Sequence, residues 1–172
     1  MTTFIKAFAT KTTVDKSQSD IIAVLRRYGA SGFGFRKIGD IVEVTFHMLN
    51  EAKVERTVVI PLSVDTVHKR LIAMKAERVK QYSRHVSRDQ AERVAWRVLL
   101  DWIDAALLAV SVGAQTIEEA FFAHSVIVTS DGQTGRLVDY VHTLEQASGG
   151  ESGSGKLPNP GRPLLQLVSG EK

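Results

Sequence analysis

From Gly32 to Pro61 the side chains follow a two-residue period, and beyond Asp65 they follow a helical one. That switch limits the chain to folds in which a small sheet precedes a helical layer. The run Ile41-Val42-Glu43-Val44-Thr45-Phe46-His47-Met48 alternates most clearly, so one set of its side chains must lie on a buried face. Before it, Gly32 to Ile38 ends at Gly39-Asp40, and a Gly-Asp pair between β-prone runs is a hairpin signal. A looser turn at Asn50–Lys53 leads into Val54 to Ile60, closed by Pro61. The pattern is a meander of three antiparallel strands.

Helical segments flank the meander. Asp15 to Asp20 is rich in helix-starting residues, Ile21, Ile22, Val24, Leu25 and Tyr28 follow at helical spacing, and Gly29 ends a helix read near 17–28. Upstream, residues 2–9 alternate as a short strand would. Val67, Leu71, Met74, Val79 and Tyr82 form a stripe that runs to about Arg84. Ser87 and Gln90 have capping-box spacing and open a long helix to about Val112. Its first half is amphipathic through Ala91, Val94, Ala95, Val98 and Trp102. From Leu99 to Val112 it is apolar nearly all round, which predicts a buried spine. Trp102 is expected in the core and Trp96 toward an interface. Thr116 and Glu119 repeat the capping-box spacing before a short helix to Ala123 or His124. Val126 to Val128 reads as a small strand before the Asp131-Gly132 turn, and Leu137 to Ala147 as a last helix. The expected class is α+β: an N-terminal helix plus a three- to four-stranded antiparallel sheet, followed by a helical subdomain with one long helix.

A chain of 172 residues, 44% hydrophobic, suits one domain with a sizeable core. We assign that domain to 1–147. At 148–172 the composition shifts to a flexible Gly/Ser/Pro-rich tail with an apolar tip, Leu164, Leu165, Leu167 and Val168. No run approaches the roughly 18 apolar residues of a membrane span. The N-terminus, with Lys6 inside it, has no cleavable signal pattern. The absence of cysteine excludes disulfides and thiolate zinc sites and is compatible with a cytoplasmic location.

Charge is distributed unevenly. Between Lys69 and Arg97 nine Lys/Arg face three acids, whereas from Val98 to Ala147 seven acids face one Arg, although the whole chain is only +3. A concentrated basic stripe binds polyanions whatever the average charge, and its bland counterpart is a solvated face paired with the protein's own acids. The split also allows head-to-tail self-association.

The stretch Ile117 to Thr134, together with Thr12-Thr13-Val14 and Gln18, the Tyr28-Gly29-Ala30 and Phe33-Gly34-Phe35 segment and Arg97-Val98-Leu99-Leu100, resembles small hypothetical proteins encoded by tailed phages and prophages. The likeness covers most of 1–147. It implies a phage or prophage origin and a role inside the infected cell, and it transfers no active site.

Two local motifs resemble known binding devices. Gly150 to Lys156 fits the first seven positions of a phosphate-binding loop, but Leu157 replaces the magnesium-binding hydroxyl and Pro158 and Pro160 forbid the required helix. A linker is the better reading. Gly32-Phe33-Gly34-Phe35 resembles the centre of the RNA-recognition signature, in which alternate aromatics stack bases. Ser31, Arg36 and Ile38 depart from that signature, and the simpler reading places both rings in the core. The five histidines show no metal spacing, and Asp101 with Asp104 reads as a helix-surface pair.

These features point to a non-enzymatic binder of nucleic acid, single-stranded DNA or RNA, in phage DNA metabolism. Phe33 and Phe35 would stack bases, while Arg36, Lys37, Lys75, Arg78, Lys80, Arg84 and Arg88 would follow phosphates. The alternative is a protein-binding host-takeover or anti-defence factor acting through charge-complementary or self-associating surfaces. We expect no catalytic residues, no cofactor and no metal. The apolar tip is expected to engage a protein partner or a neighbouring copy.

Overall fold

In a computed structural model of the chain, the structure describes Ala7, residues 10–77, 86–128, Gly132 and residues 134–148, the side chains of 75–77 and 146–148 excepted. The N-terminal strand read at 2–9 therefore lies outside the described residues, apart from Ala7, which is buried in the core.

Helix α1 spans Val14–Arg27. It starts three residues earlier than the periodicity suggests because the Thr13 hydroxyl caps it, accepting from the Lys16 N–H at 3.3 Å. Asp15 in the first turn and Arg26 and Arg27 in the last complement the helix dipole. Ile21, Val24 and Leu25 are buried, and Gly29, with φ 83°, turns the chain into the sheet.

The sheet consists of β1 (Gly32–Ile38), β2 (Ile41–Leu49) and β3 (Glu55–Ser63), antiparallel and in that spatial order. Gly39, with φ 56°, occupies the left-handed position of the β1–β2 turn. The register sets Phe35 opposite Val44 and Val44 opposite Ile60. One step along, Phe33 lies opposite Phe46 and Phe46 opposite Val58. Val42, Val44, Phe46 and Met48 are buried, while Glu43, Thr45 and His47 between them are half-buried. The alternation thus separates a core face from an outer one. Pro61, read as the end of the third strand, lies inside β3, which is an outer strand of the sheet and tolerates the missing N–H.

Helices α2 (Val64–Glu77) and α3 (Arg88–Ser111) pack against each other. Ser63 begins α2, its Oγ accepting from the Thr66 N–H at 3.1 Å. Ser87 begins α3, accepting from the Gln90 N–H at 3.1 Å. Only one side of the distal half of α3 is buried, through Leu99, Leu100, Ile103 and Leu107. Trp102, Leu108 and Val112 are exposed. An all-round buried spine therefore does not form: the sheet and α1 cover the helix on one side, leaving the rest to solvent. The two tryptophans exchange their expected places. Trp96 is 1% exposed and meets Phe35, whereas Trp102 is 37% exposed at the margin, beside Phe121 and His124.

Beyond α3, Thr116 and Glu119 form a complete capping box on α4 (Ile117–Phe121), and a 3-10 turn follows at Phe122–His124. Strands β4 (Val126–Val128) and β5 (Thr134–Arg136) form a separate hairpin, joined to the main sheet by a bridge between Ser125 and Val58. Helix α5 spans Leu137–Ser148. The architecture is α+β, with three strands in the main sheet and two in the satellite.

Candidate nucleic-acid interface

Strand β1 brings four of the candidate residues together and then divides them between its faces. Phe33 and Phe35 are on the core side. Phe35 meets Trp96 edge-on, with centroids 5.5 Å apart, and Phe33 lies under the Arg26 guanidinium at 5.4 Å. Both rings are half-buried against the core cluster. The two phenylalanines thus have packing partners where base stacking would need an open face. The outer face of the sheet carries Gly34, Thr45, His47, Thr57 and Val59, with no Phe, Tyr or Trp.

Arg36 and Lys37 are adjacent in sequence but diverge, as neighbours on a strand must. Arg36 donates to Glu43 on the outer face at 2.8 Å. Lys37 reaches across the core side to Glu92 on α3 at 2.6 Å. A single backbone of phosphates cannot run along both.

Four described cations of the basic stripe, Lys69, Arg88, Arg93 and Arg97, also have partners. Lys69 pairs with Asp65 at 2.6 Å, which holds its amine above the usual lysine range. Arg97 lies 3.3 Å from Asp101 and 3.8 Å from Asp20. Arg93 donates to the Gln90 amide oxygen at 2.6 Å. Arg88 donates to Asp40 and lies 4.0 Å from Asp65. Asp40 is the hub of this corner. Its carboxylate accepts from the Ser63 hydroxyl at 2.6 Å, from the Asp65 N–H at 3.0 Å and from Arg88. The Ser63 hydrogen bond foremost, with the Asp65 N–H and the Arg88 charge, keeps it below the ordinary carboxylate range against desolvation. The β1–β2 turn, the start of α2 and the start of α3 are thereby tied together.

The side chain of Lys75, and Arg78, Lys80 and Arg84 entirely, lie outside the described residues, as do Leu164, Leu165, Leu167 and Val168. The Asp65–Lys69 and Arg97–Asp101 pairs have the four-residue spacing of helix partners and are readable in sequence. Asp40 is 48 residues from Arg88, and nothing local announces it.

A second polar cluster lies at the other end of the sheet. Glu118 on α4 accepts from Asn50 at 2.7 Å and from Arg56 at 2.9 Å. Burial pushes this carboxyl up, but the two hydrogen bonds outweigh burial and leave it below its usual range. His124, edge-on to Trp102, is held below the usual histidine range, chiefly by desolvation and also by the Arg136 charge. Its Nδ1 is buried without a partner. Among the described residues no three His, Asp or Glu side chains gather as a metal site would require. No helix among them is long and apolar enough to cross a membrane.

No family model, curated protein or solved structure matches the chain.

Proposed function

We propose that this protein is a non-enzymatic nucleic-acid-binding protein whose contacts are to phosphate, through the cations of residues 70–84. The observation that carries this reading is the density of positive charge in the sequence of residues 70–84. Among the described cations of the stripe, Lys69, Arg88 and Arg97 are engaged by carboxylates. By sequence, residues 70–84 hold five cations, Arg70, Lys75, Arg78, Lys80 and Arg84, against the single acid Glu77. With Phe33 and Phe35 packed in the fold, the sheet contributes no stacking platform. Affinity then comes from counterion release and depends little on sequence. On the resemblance to phage-encoded proteins, we propose phage DNA metabolism in the cytoplasm of an infected bacterium as the setting of this activity.

Fluorescently labelled single- and double-stranded oligonucleotides titrated across a salt series test the proposal. Affinity is expected to fall linearly on a log–log plot. The triple variant Arg78→Gln/Lys80→Gln/Arg84→Gln should reduce the slope by about one unit per lost contact. Absence of binding at low salt, or an unchanged slope in the variant, refutes it.

One observation favours a second reading, a protein-binding factor of host takeover or anti-defence. Leu108 on α3 and Val112, the residue that caps its C-terminus, are one turn apart and are 53% and 69% exposed. Apolar neighbours of that kind suit a protein partner better than a phosphate backbone. Leu108→Ser/Val112→Ser should leave oligonucleotide binding intact if the first reading holds.

A further inference from the structure

The 3-10 turn at Phe122–His124 is a junction between the main body and the unit formed by β4, β5 and α5. It packs on α4, on β3 and on α5. Ser125, directly after it, bridges to Val58 on β3, and its carbonyl accepts from the Leu137 N–H at 2.9 Å, where α5 begins. His124 closes this junction against α3, its ring edge-on to Trp102 at 5.2 Å. The Nδ1 of His124 is cut off from solvent and has no hydrogen-bond partner. A neutral ring merely forgoes a hydrogen bond at that nitrogen. An imidazolium would place a charged N–H donor in the same buried spot, which is far more costly.

We infer that His124 is an acid-sensitive latch: the neutral ring holds the 3-10 turn against α3, and protonation at Nδ1 loosens β4, β5 and α5 from the main body. The charged groups around the ring leave the added proton without an acceptor. On β5, Arg136 brings positive charge, and it already takes up the Asp139 carboxylate of α5 through hydrogen bonds of 2.9 and 2.6 Å. The carboxylates of α4 are turned elsewhere, Glu118 to Asn50 and Arg56 and Glu119 to the Thr116 N–H. The neighbour on α3 is the uncharged indole of Trp102. Burial foremost, joined by the Arg136 charge, holds the imidazole below the usual histidine range, against the Val59 carbonyl of β3 and the Asp139 charge. The attachment is therefore at full strength above the ordinary value of about 6.5, and it weakens as pH falls through the lower folded value. The inference is independent of nucleic-acid binding.

Amide exchange of the full-length chain at about pH 7.5 and about pH 5, on either side of the ordinary histidine value, tests the latch once intrinsic chemical rates are divided out. Protection in β4 and α5 should fall several-fold at the lower pH, while protection in β2 and in the first half of α3 should hold. In His124→Gln, whose side chain carries no proton to gain, the difference between the two pH values should vanish. Uniform loss across the chain, no loss in the parent, or the same loss in His124→Gln overturns the inference. A second measurement needs no variant. The ring protons of His124, identified by their proximity to Trp102 in NMR spectra, should titrate with a midpoint below about 6.5. A midpoint at or above that value, as attraction of an imidazolium to the Trp102 ring would produce, also overturns it.

Discussion

The ring of Phe35 meets the indole of Trp96 at 5.5 Å with the planes 88° apart, joining the edge strand of the sheet to the middle of α3. This contact turns the Gly-Phe-Gly-Phe segment from a candidate reader of bases into a structural seam. Phe35→Ala should therefore cost about 3 kcal/mol of stability, seen as an earlier denaturant midpoint. The folded fraction should bind oligonucleotides as the parent does. A variant that binds weakly yet melts normally would return the ring to the interface.

The two tryptophans can be separated by fluorescence. In Trp102→Phe the remaining Trp96, 1% exposed, should emit at shorter wavelength and resist acrylamide quenching. In Trp96→Phe the remaining Trp102 should be quenched readily. The reverse assignment would mean that α3 is rotated on the sheet.

Arg88 and Arg97 belong to the stripe by sequence, but carboxylates engage them. Arg88→Gln/Arg97→Gln should leave the salt slope of oligonucleotide binding within about half a unit of the parent, because neither side chain releases a counterion from phosphate. A slope reduced by about two units would show that both leave their partners for the nucleic acid.

Asp40 links folding to acid. Its carboxyl is depressed in the folded state, so the stability it contributes is present above its unfolded pKa, about 3.9. That contribution is lost as pH falls through the lower folded value. Asp40→Asn should lower the melting temperature near neutrality, and the difference from the parent should narrow as pH falls below about 4. Glu118 has the same sign and should behave alike when replaced by Gln. A gap that stays constant from pH 7 to pH 3 would remove Asp40 from the acid response.

Leu137→Ser and Leu144→Ser test the two ends of one stripe. The first removes a buried contact and should cost about 2 kcal/mol or more. The second lies at an exposed position and should stay within about 0.5 kcal/mol in a chain truncated after Ser148. Equal losses in thermal melts would mean that the far end of α5 is as well packed as its start.

Local rules were sufficient wherever one residue's neighbours in sequence are also its neighbours in space. Alternation from Ile41 to Met48, the turn at Gly39, and the caps at Ser87 and Thr116 act over two to four residues, and each is visible in the chain. Period alone cannot say which side of a strand another layer will cover. Phe33 and Phe35 share a face in any β1, but only the arrival of Trp96, 61 residues beyond Phe35, makes that face the inner one. The same holds for the charges. Composition shows nine cations in a stripe, whereas the approach of Asp40 to Arg88 and of Asp20 to Arg97 shows that two of them are engaged within the fold. Coulomb attraction acts through space, so sequence reveals the i, i+4 pairs and the tertiary fold alone determines the rest.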